Sequence, residues 1–144
     1  MYVVEPLYGL CNKLRVIFSH RIVAKKENKE FKVIWKENPD CPGHFLDYFQ
    51  AISDIEFIKD DNITVPIIKT FCRYKDITPD YTDLKLLPHI IKKINDKIIL
   101  LGNDYTAVHI RRTDHINLAK SNNAYTEDKD FFNFLDISTN PIYI

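Results

Sequence analysis

A strand–helix–strand pattern in residues 1–35 constrains the fold of this chain more than any other feature. Residues 2–5 favour a strand, a turn with Pro6 and Gly9 follows, and apolar side chains then recur at helical spacing to about Lys26. Residues 31–35 again favour a strand. Two strands joined by a helix in this way pair in parallel. The pattern predicts an α/β fold with a Rossmann-like, mostly parallel sheet flanked by helices.

Later segments continue this alternation of strands and helices. The helix ending near Lys26 should pack through Leu14, Ile17, Phe18 and Ile22, and residues 11–12 should begin it. A second helix over 88–97 should pack through Ile90, Ile91 and Ile94. The remaining predicted elements are a short helix in 45–51, strands at 55–58, 64–69 and from residue 105, a helix over 127–136 capped by Thr126, and a last strand from residue 141.

A strand that runs into a basic loop is predicted at residues 105–114. Strand alternation places His109 and Arg111 on one face, and Arg112 and Asp114 follow where the strand should end. Ligands of open α/β sheets bind beyond the carboxyl ends of the strands, and the planar arginine fork suits a phosphate. The segment therefore predicts an anion site. The alternative is a solvated strand end with a histidine satisfied in the core.

A second candidate site lies in residues 9–14, Gly-Leu-Cys-Asn-Lys-Leu, between the first strand and the first helix. Gly9 permits close approach of a ligand to the backbone, and a helix N-terminus offers free N–H groups and the positive end of the helix dipole. Asn12 could hydrogen-bond a ligand hydroxyl or phosphate. In the alternative interpretation, Asn12 is an ordinary N-cap residue.

The sequence His-x-Arg-Arg-Thr-Asp of residues 109–114 resembles motif I of the fucosyltransferases that use GDP-fucose. The pattern is that of the α1,6 and nodulation-factor branch, with related forms in the α1,2 and protein O-fucosyltransferases. Residues 9–14 are similar to the Gly-x-x-Asn-x-Leu turn of the same superfamily. The resemblance implies an inverting, metal-independent glycosyltransferase with GDP-fucose as donor and a glycan or protein hydroxyl as acceptor. It does not identify which residue is catalytic, but it implies donor contacts at Arg111, His109, Arg112, Asp114, Asn12 and Gly9.

The resemblance also implies a glycosyltransferase-B arrangement of two Rossmann-like halves. Residues 1–103 would form the first half and 104–144 would begin the nucleotide-binding half, unless the chain is one compact unit. The family's later donor-binding segments have no counterpart in these 144 residues. We therefore expect a truncated relative with little turnover, either transferase-like or a non-catalytic module that binds a nucleotide weakly or a partner. An exposed sheet edge would favour self-association.

Composition excludes several other classes of protein. Lys+Arg 20 balances Asp+Glu 20, so no overall basic field favours nucleic acid or an anionic membrane. The histidines, acids and three cysteines match no metal-ligand spacing, and the phosphate-loop, dinucleotide and nucleophile-elbow patterns are absent. The odd cysteine count favours reduced thiols, although one disulfide is compatible with it. No leader or membrane-length apolar run is visible, which predicts a cytoplasmic protein.

Overall fold

The computed structural model describes residues 1–59, 63–102, 104–108, 116–121, 125–137 and 142–143. The chain divides into an N-terminal unit, Met1–Ile91, and a C-terminal unit, Lys92–Ile144. The elements are β1 (Tyr2–Pro6), α1 (Leu10–Lys26), β2 (Phe31–Ile34), a short 3-10 helix (Phe45–Asp47), β3 (Glu56–Ile58), β4 (Ile67–Thr70), α2 (Pro88–Leu101), β5 (Thr106–Ala107), α3 (Ile116–Ser121), α4 (Asp128–Ile137) and β6 (Ile142–Tyr143). That residues 104–144 begin a nucleotide-binding half stays a prediction.

The N-terminal unit contains a four-stranded parallel sheet in the order β3-β2-β1-β4. Strand β1 pairs with two neighbours: its Val4 lies opposite Val33 of β2 on one side and opposite Ile68 of β4 on the other. In the C-terminal unit, β5 and β6 also pair in parallel. The predicted α/β fold with a mostly parallel sheet and flanking helices is therefore confirmed.

Helix α1 ends at Lys26 as predicted, but it is buried on more sides than one apolar stripe requires. Val16, Ile17 and Phe18 are all fully buried, and so is Ser19. The Ser19 hydroxyl accepts a hydrogen bond from the Tyr74 backbone N–H (2.9 Å) and donates one to the Val16 carbonyl (3.1 Å). A later segment of the chain thus covers polar positions of α1, which a local hydrophobic pattern does not report.

An aromatic cluster closes the core beside β2 and β3. Phe45 is fully buried, and its ring lies 4.8 Å from that of Phe57, 5.0 Å from that of Phe49 and 5.8 Å from that of Trp35 between centroids. The helix predicted over 45–51 is only one 3-10 turn, capped by His44. Packing of the rings, rather than helical hydrogen bonding, therefore fixes this segment.

The predicted packed face of α2 is wrong. No residue of α2 is buried, and Ile91 and Ile94 are both 42% exposed. An amphipathic pattern predicts which side of a helix would pack against a neighbouring surface. It does not predict that such a surface is present.

A charged network ties α1 to two loops. The Arg21 guanidinium donates to both carboxylate oxygens of Asp54 (2.9 and 2.6 Å) and to Asp83 (2.7 Å), and Lys25 lies 2.9 Å from Asp54. Burial acts to raise the pKa of Asp54, but the hydrogen bonds and charges of Arg21 and Lys25 lower it to about 2. The folded state therefore favours the ionised Asp54.

This depressed pKa predicts an acid-sensitive contribution to stability. The contribution of Asp54 to the free energy of unfolding is fully present at pH values above its ordinary pKa of 3.8. It is lost as the pH falls through the folded-state pKa of about 2. We expect a loss of about 1 kcal/mol, because the Asp54 carboxylate is one third exposed and partly screened. Urea denaturation of the wild type and of Asp54→Asn checks this. The wild type should be more stable near neutral pH, and the two should converge near pH 2. A constant difference across that range would contradict the assignment.

Candidate functional site

The candidate site lies where the order of the sheet reverses direction. The chain leaves β1 through α1 to reach β2 on one side, whereas β4 adds on the other side of β1. In open α/β sheets, ligands bind at this topological switch point, in the crevice beyond the carboxyl ends of the strands. The residues beyond these ends, with the first turns of α1, are here called the switch-point cluster: Tyr8, Gly9, Asn12, Arg15 and Phe71.

Gly9, not Asn12, is the N-cap of α1. The helix begins at Leu10, Gly9 is extended (φ −70°, ψ 168°), and no side chain caps the N-terminus. The prediction that the helix begins at residues 11–12, and the alternative of Asn12 as N-cap, are both wrong. The reason is that the extended Gly9 already supplies the cap geometry, and its carbonyl accepts the first helical bond from the Lys13 N–H (3.1 Å). Asn12 therefore lies within the first turn.

Arg15 joins α1 to the end of β4. Its Nη2 donates to the Asn12 side-chain oxygen (2.7 Å) and to the Phe71 backbone carbonyl (3.0 Å). Its Nε is a buried donor with no hydrogen-bond partner among the residues that the structure describes. Because the Asn12 oxygen already accepts from Arg15, the amide N–H₂ of Asn12 is the group that can donate to a ligand.

Two exposed aromatic rings lie at the same edge of the sheet. Tyr8 is 52% exposed and Phe71 is 46% exposed, and their rings meet edge to face with centroids 5.2 Å apart. Tyr8 has a left-handed backbone (φ 64°), a conformation that costs a non-glycine residue about 1–3 kcal/mol and often marks functional sites. Its carbonyl accepts from the Asn38 side-chain amide (3.2 Å), which helps to hold the turn.

A buried carboxylate holds two lysines near these strand ends. Glu5 of β1 is 6% exposed and lies 3.2 Å from Lys36 and 3.1 Å from Lys69, its direct partner across the sheet. Lys13 is fully buried, lies 4.4 Å from the centroid of the Trp35 ring and donates to the Lys36 carbonyl. Burial lowers the pKa of Lys13, although Cys41 and Glu37 act in the opposite direction. Local sequence patterns predicted no functional role for Glu5, Lys13, Lys36 or Lys69.

The structure places Gly9 and Asn12 together at this edge. The other four predicted site residues, His109, Arg111, Arg112 and Asp114, lie outside the described residues. The strand predicted from Tyr105 is present as β5, and Val108 is the last residue described before this segment. The donor contacts of these four side chains therefore stay predictions.

A cavity of about 540 Å³ lies at the opposite edge of the sheet, near the amino ends of β2 and β3. The residues that line it are Lys25, Lys29, Glu30, Phe31, Ser53, Asp54, Ile55 and Glu56. Its charges pair locally, since Lys25 contacts Asp54, and Lys29 contacts Glu27 at 2.7 Å. We favour the switch-point cluster over this cavity because ligands of parallel sheets bind at the carboxyl ends of the strands.

The part of the chain that the structure describes has neither a metal-binding group of side chains nor a membrane-spanning helix. There, no three His, Cys, Asp or Glu side chains are grouped closely enough to hold a metal ion. No helix in those segments has the length and apolar character needed to cross a membrane. The cysteines Cys11, Cys41 and Cys72 form no disulfide, and Cys41 is buried.

Comparisons with protein-family models, with curated proteins and with solved structures found no match to this chain. The assignment of a function therefore depends on the switch-point cluster and on the residues of the sequence.

Proposed function

We propose that this chain is a glycosyltransferase-like protein that binds GDP-fucose and belongs to a class that transfers fucose to a glycan or protein hydroxyl. The observation that supports this most is the sheet order β3-β2-β1-β4, with the turn from β1 into α1 at the switch point. This order is the one found in the first half of dinucleotide-binding folds, where phosphates lie against the first helix. The choice of GDP-fucose rests on the sequence motif of residues 109–114.

The N-terminus of α1 suits an anion for electrostatic reasons. No side chain caps it and no acidic residue occupies its first turn. Its first N–H groups have no partner within the helix, and the dipole adds about half a positive charge at this end. The Asn12 amide can add one donor, while Arg15 holds Asn12 in place. These groups together could hold the phosphates of a nucleotide.

In the proposed transfer, an acceptor hydroxyl oxygen attacks the anomeric carbon of fucose from the face opposite the phosphate. The bond from that carbon to the phosphate oxygen breaks, GDP leaves with the bonding electrons, and the hydroxyl proton passes to a base. Arg111 would stabilise the charge that grows on the departing pyrophosphate, with His109 beside it. Binding of GDP without transfer would instead identify a nucleotide-binding module.

Asn12→Asp should weaken GDP binding about tenfold or more. The change removes the amide donor and places a negative charge beside the phosphates, and a hydrogen bond to a charged group contributes about 1.5–3 kcal/mol. Folding should not suffer, because aspartate still accepts from Arg15 and an acid in the first turn of a helix is favourable. Calorimetric titration of the whole chain with GDP measures the change.

Asn28→Asp is the matched control for this test. It introduces the same charge beyond the other end of α1, so GDP affinity should change by less than about twofold. GMP, which lacks the second phosphate, should bind more weakly than GDP to the wild type. Equal affinity for GDP in Asn12→Asp and the wild type, or no GDP binding by the wild type, would contradict the proposal.

A further inference from the structure

We propose that Tyr8 and Phe71 form a stacking subsite for the pyranose ring of a sugar, an assignment that rests on the proposed function. The two rings follow β1 and β4, the neighbouring strands on either side of the switch point. They meet edge to face, and about half of each side chain remains exposed. Aromatic faces are apolar surfaces on which the C–H groups of a sugar ring can pack.

The backbone around this pair is held in place. The Leu7 N–H donates to the Thr70 carbonyl (2.9 Å), which ties the ends of β1 and β4 together. Arg15 donates to the Phe71 carbonyl and Asn38 donates to the Tyr8 carbonyl. A surface that is fixed before the ligand arrives loses little conformational freedom on binding.

Packing alone does not account for the geometry of Tyr8. A tyrosine that served only the core would bury its ring, yet Tyr8 exposes half of its surface while its backbone adopts a left-handed conformation. Glycine would adopt φ 64° without strain. The ring is therefore the feature that needs explaining, and its neighbours at this edge are the anion-binding groups of α1.

The position of the pair favours a sugar over a nucleobase. Tyr8 directly precedes the N-cap Gly9, so its residue adjoins the helix end that would hold a phosphate. In a nucleotide sugar, the sugar is bonded directly to the terminal phosphate, whereas the base is separated from the phosphates by a ribose. With the terminal phosphate at this helix end, the ring next to it is the pyranose.

The test compares GDP-fucose and GDP binding in the wild type and in Tyr8→Gly, a variant that removes the ring and retains the left-handed turn. GDP-fucose should bind the wild type about three- to tenfold more tightly than GDP, and Tyr8→Gly should weaken GDP-fucose binding more than GDP binding and so abolish this ratio. Tyr8→Phe should keep the ratio. Phe132→Ala, which removes an exposed ring of the C-terminal unit, should also leave it unchanged.

Two further outcomes separate this inference from the proposed function. If the wild type binds GDP and GDP-fucose equally, or if Tyr8→Gly weakens both equally, the sugar subsite is wrong while the nucleotide site stands. If neither nucleotide binds, the proposed function fails, and titration with methyl α-L-fucopyranoside decides the inference. Shifts of the Tyr8 and Phe71 ring proton resonances would support the subsite, and unchanged resonances would overturn it.

Discussion

Replacing Phe45 by alanine is expected to lower the free energy of unfolding of the N-terminal unit by about 3–5 kcal/mol. Phe45 is fully buried, and its ring contacts those of Trp35, Phe49 and Phe57. Removing the ring leaves a cavity, and the three neighbouring rings cannot fill it without giving up their own contacts. The buried apolar atoms that line the cavity then lose their packing partner. Urea denaturation followed by Trp35 fluorescence measures the change, since this is the single tryptophan of the chain.

Leu46→Ala is the matched control for the Phe45 variant. Leu46 is the next residue of the same 3-10 turn but is 42% exposed, so we expect a change within about 0.5 kcal/mol. The loss in free energy of unfolding for Phe45→Leu should lie between the losses for Leu46→Ala and Phe45→Ala, because leucine retains part of the buried volume. A loss below about 1 kcal/mol for Phe45→Ala would show that this segment does not close the core.

Arg111→Lys is expected to weaken GDP binding roughly ten- to hundredfold, whereas Arg112→Lys should have a small effect. If the predicted strand continues to Arg111, alternation would place Arg111 on the face of His109 and Arg112 on the opposite side or in the loop. A two-pronged arginine–phosphate contact is charge-assisted, and its loss costs about 1.5–3 kcal/mol, or one to two decades of affinity. Lysine keeps the charge but lacks the planar fork, so it should recover little.

Calorimetric titration of both variants with GDP tests this assignment, and the lysine replacements are each other's control because they preserve charge. An equal loss of GDP affinity in the two variants, or a larger loss for Arg112→Lys, would show that Arg111 is not the main phosphate contact. A denaturation midpoint for each variant equal to that of the wild type shows that lost affinity does not reflect lost folding.

The sequence alone determined the βαβ opening and the parallel sheet. Helix α1 ends at Lys26 as its pattern predicts, because helical periodicity, closing lysines and a following β-prone run are all local signals. The position of Gly9 in the turn between β1 and α1 also followed from local signals. The identity of the N-cap residue could not be predicted in this way. It depends on the backbone angles of Gly9 and not on the side chain of Asn12.

How the parts of the candidate site meet depends on contacts between distant segments of the chain. No local pattern states that β4 pairs with β1 on the side away from β2, yet this pairing creates the switch point and brings Phe71 to Tyr8. The same pairing sets Lys69 opposite Glu5, so a carboxylate in a β-prone run could be buried at low cost. Contacts between residues distant in the chain depend on strand order, and strand order is a property of the whole fold.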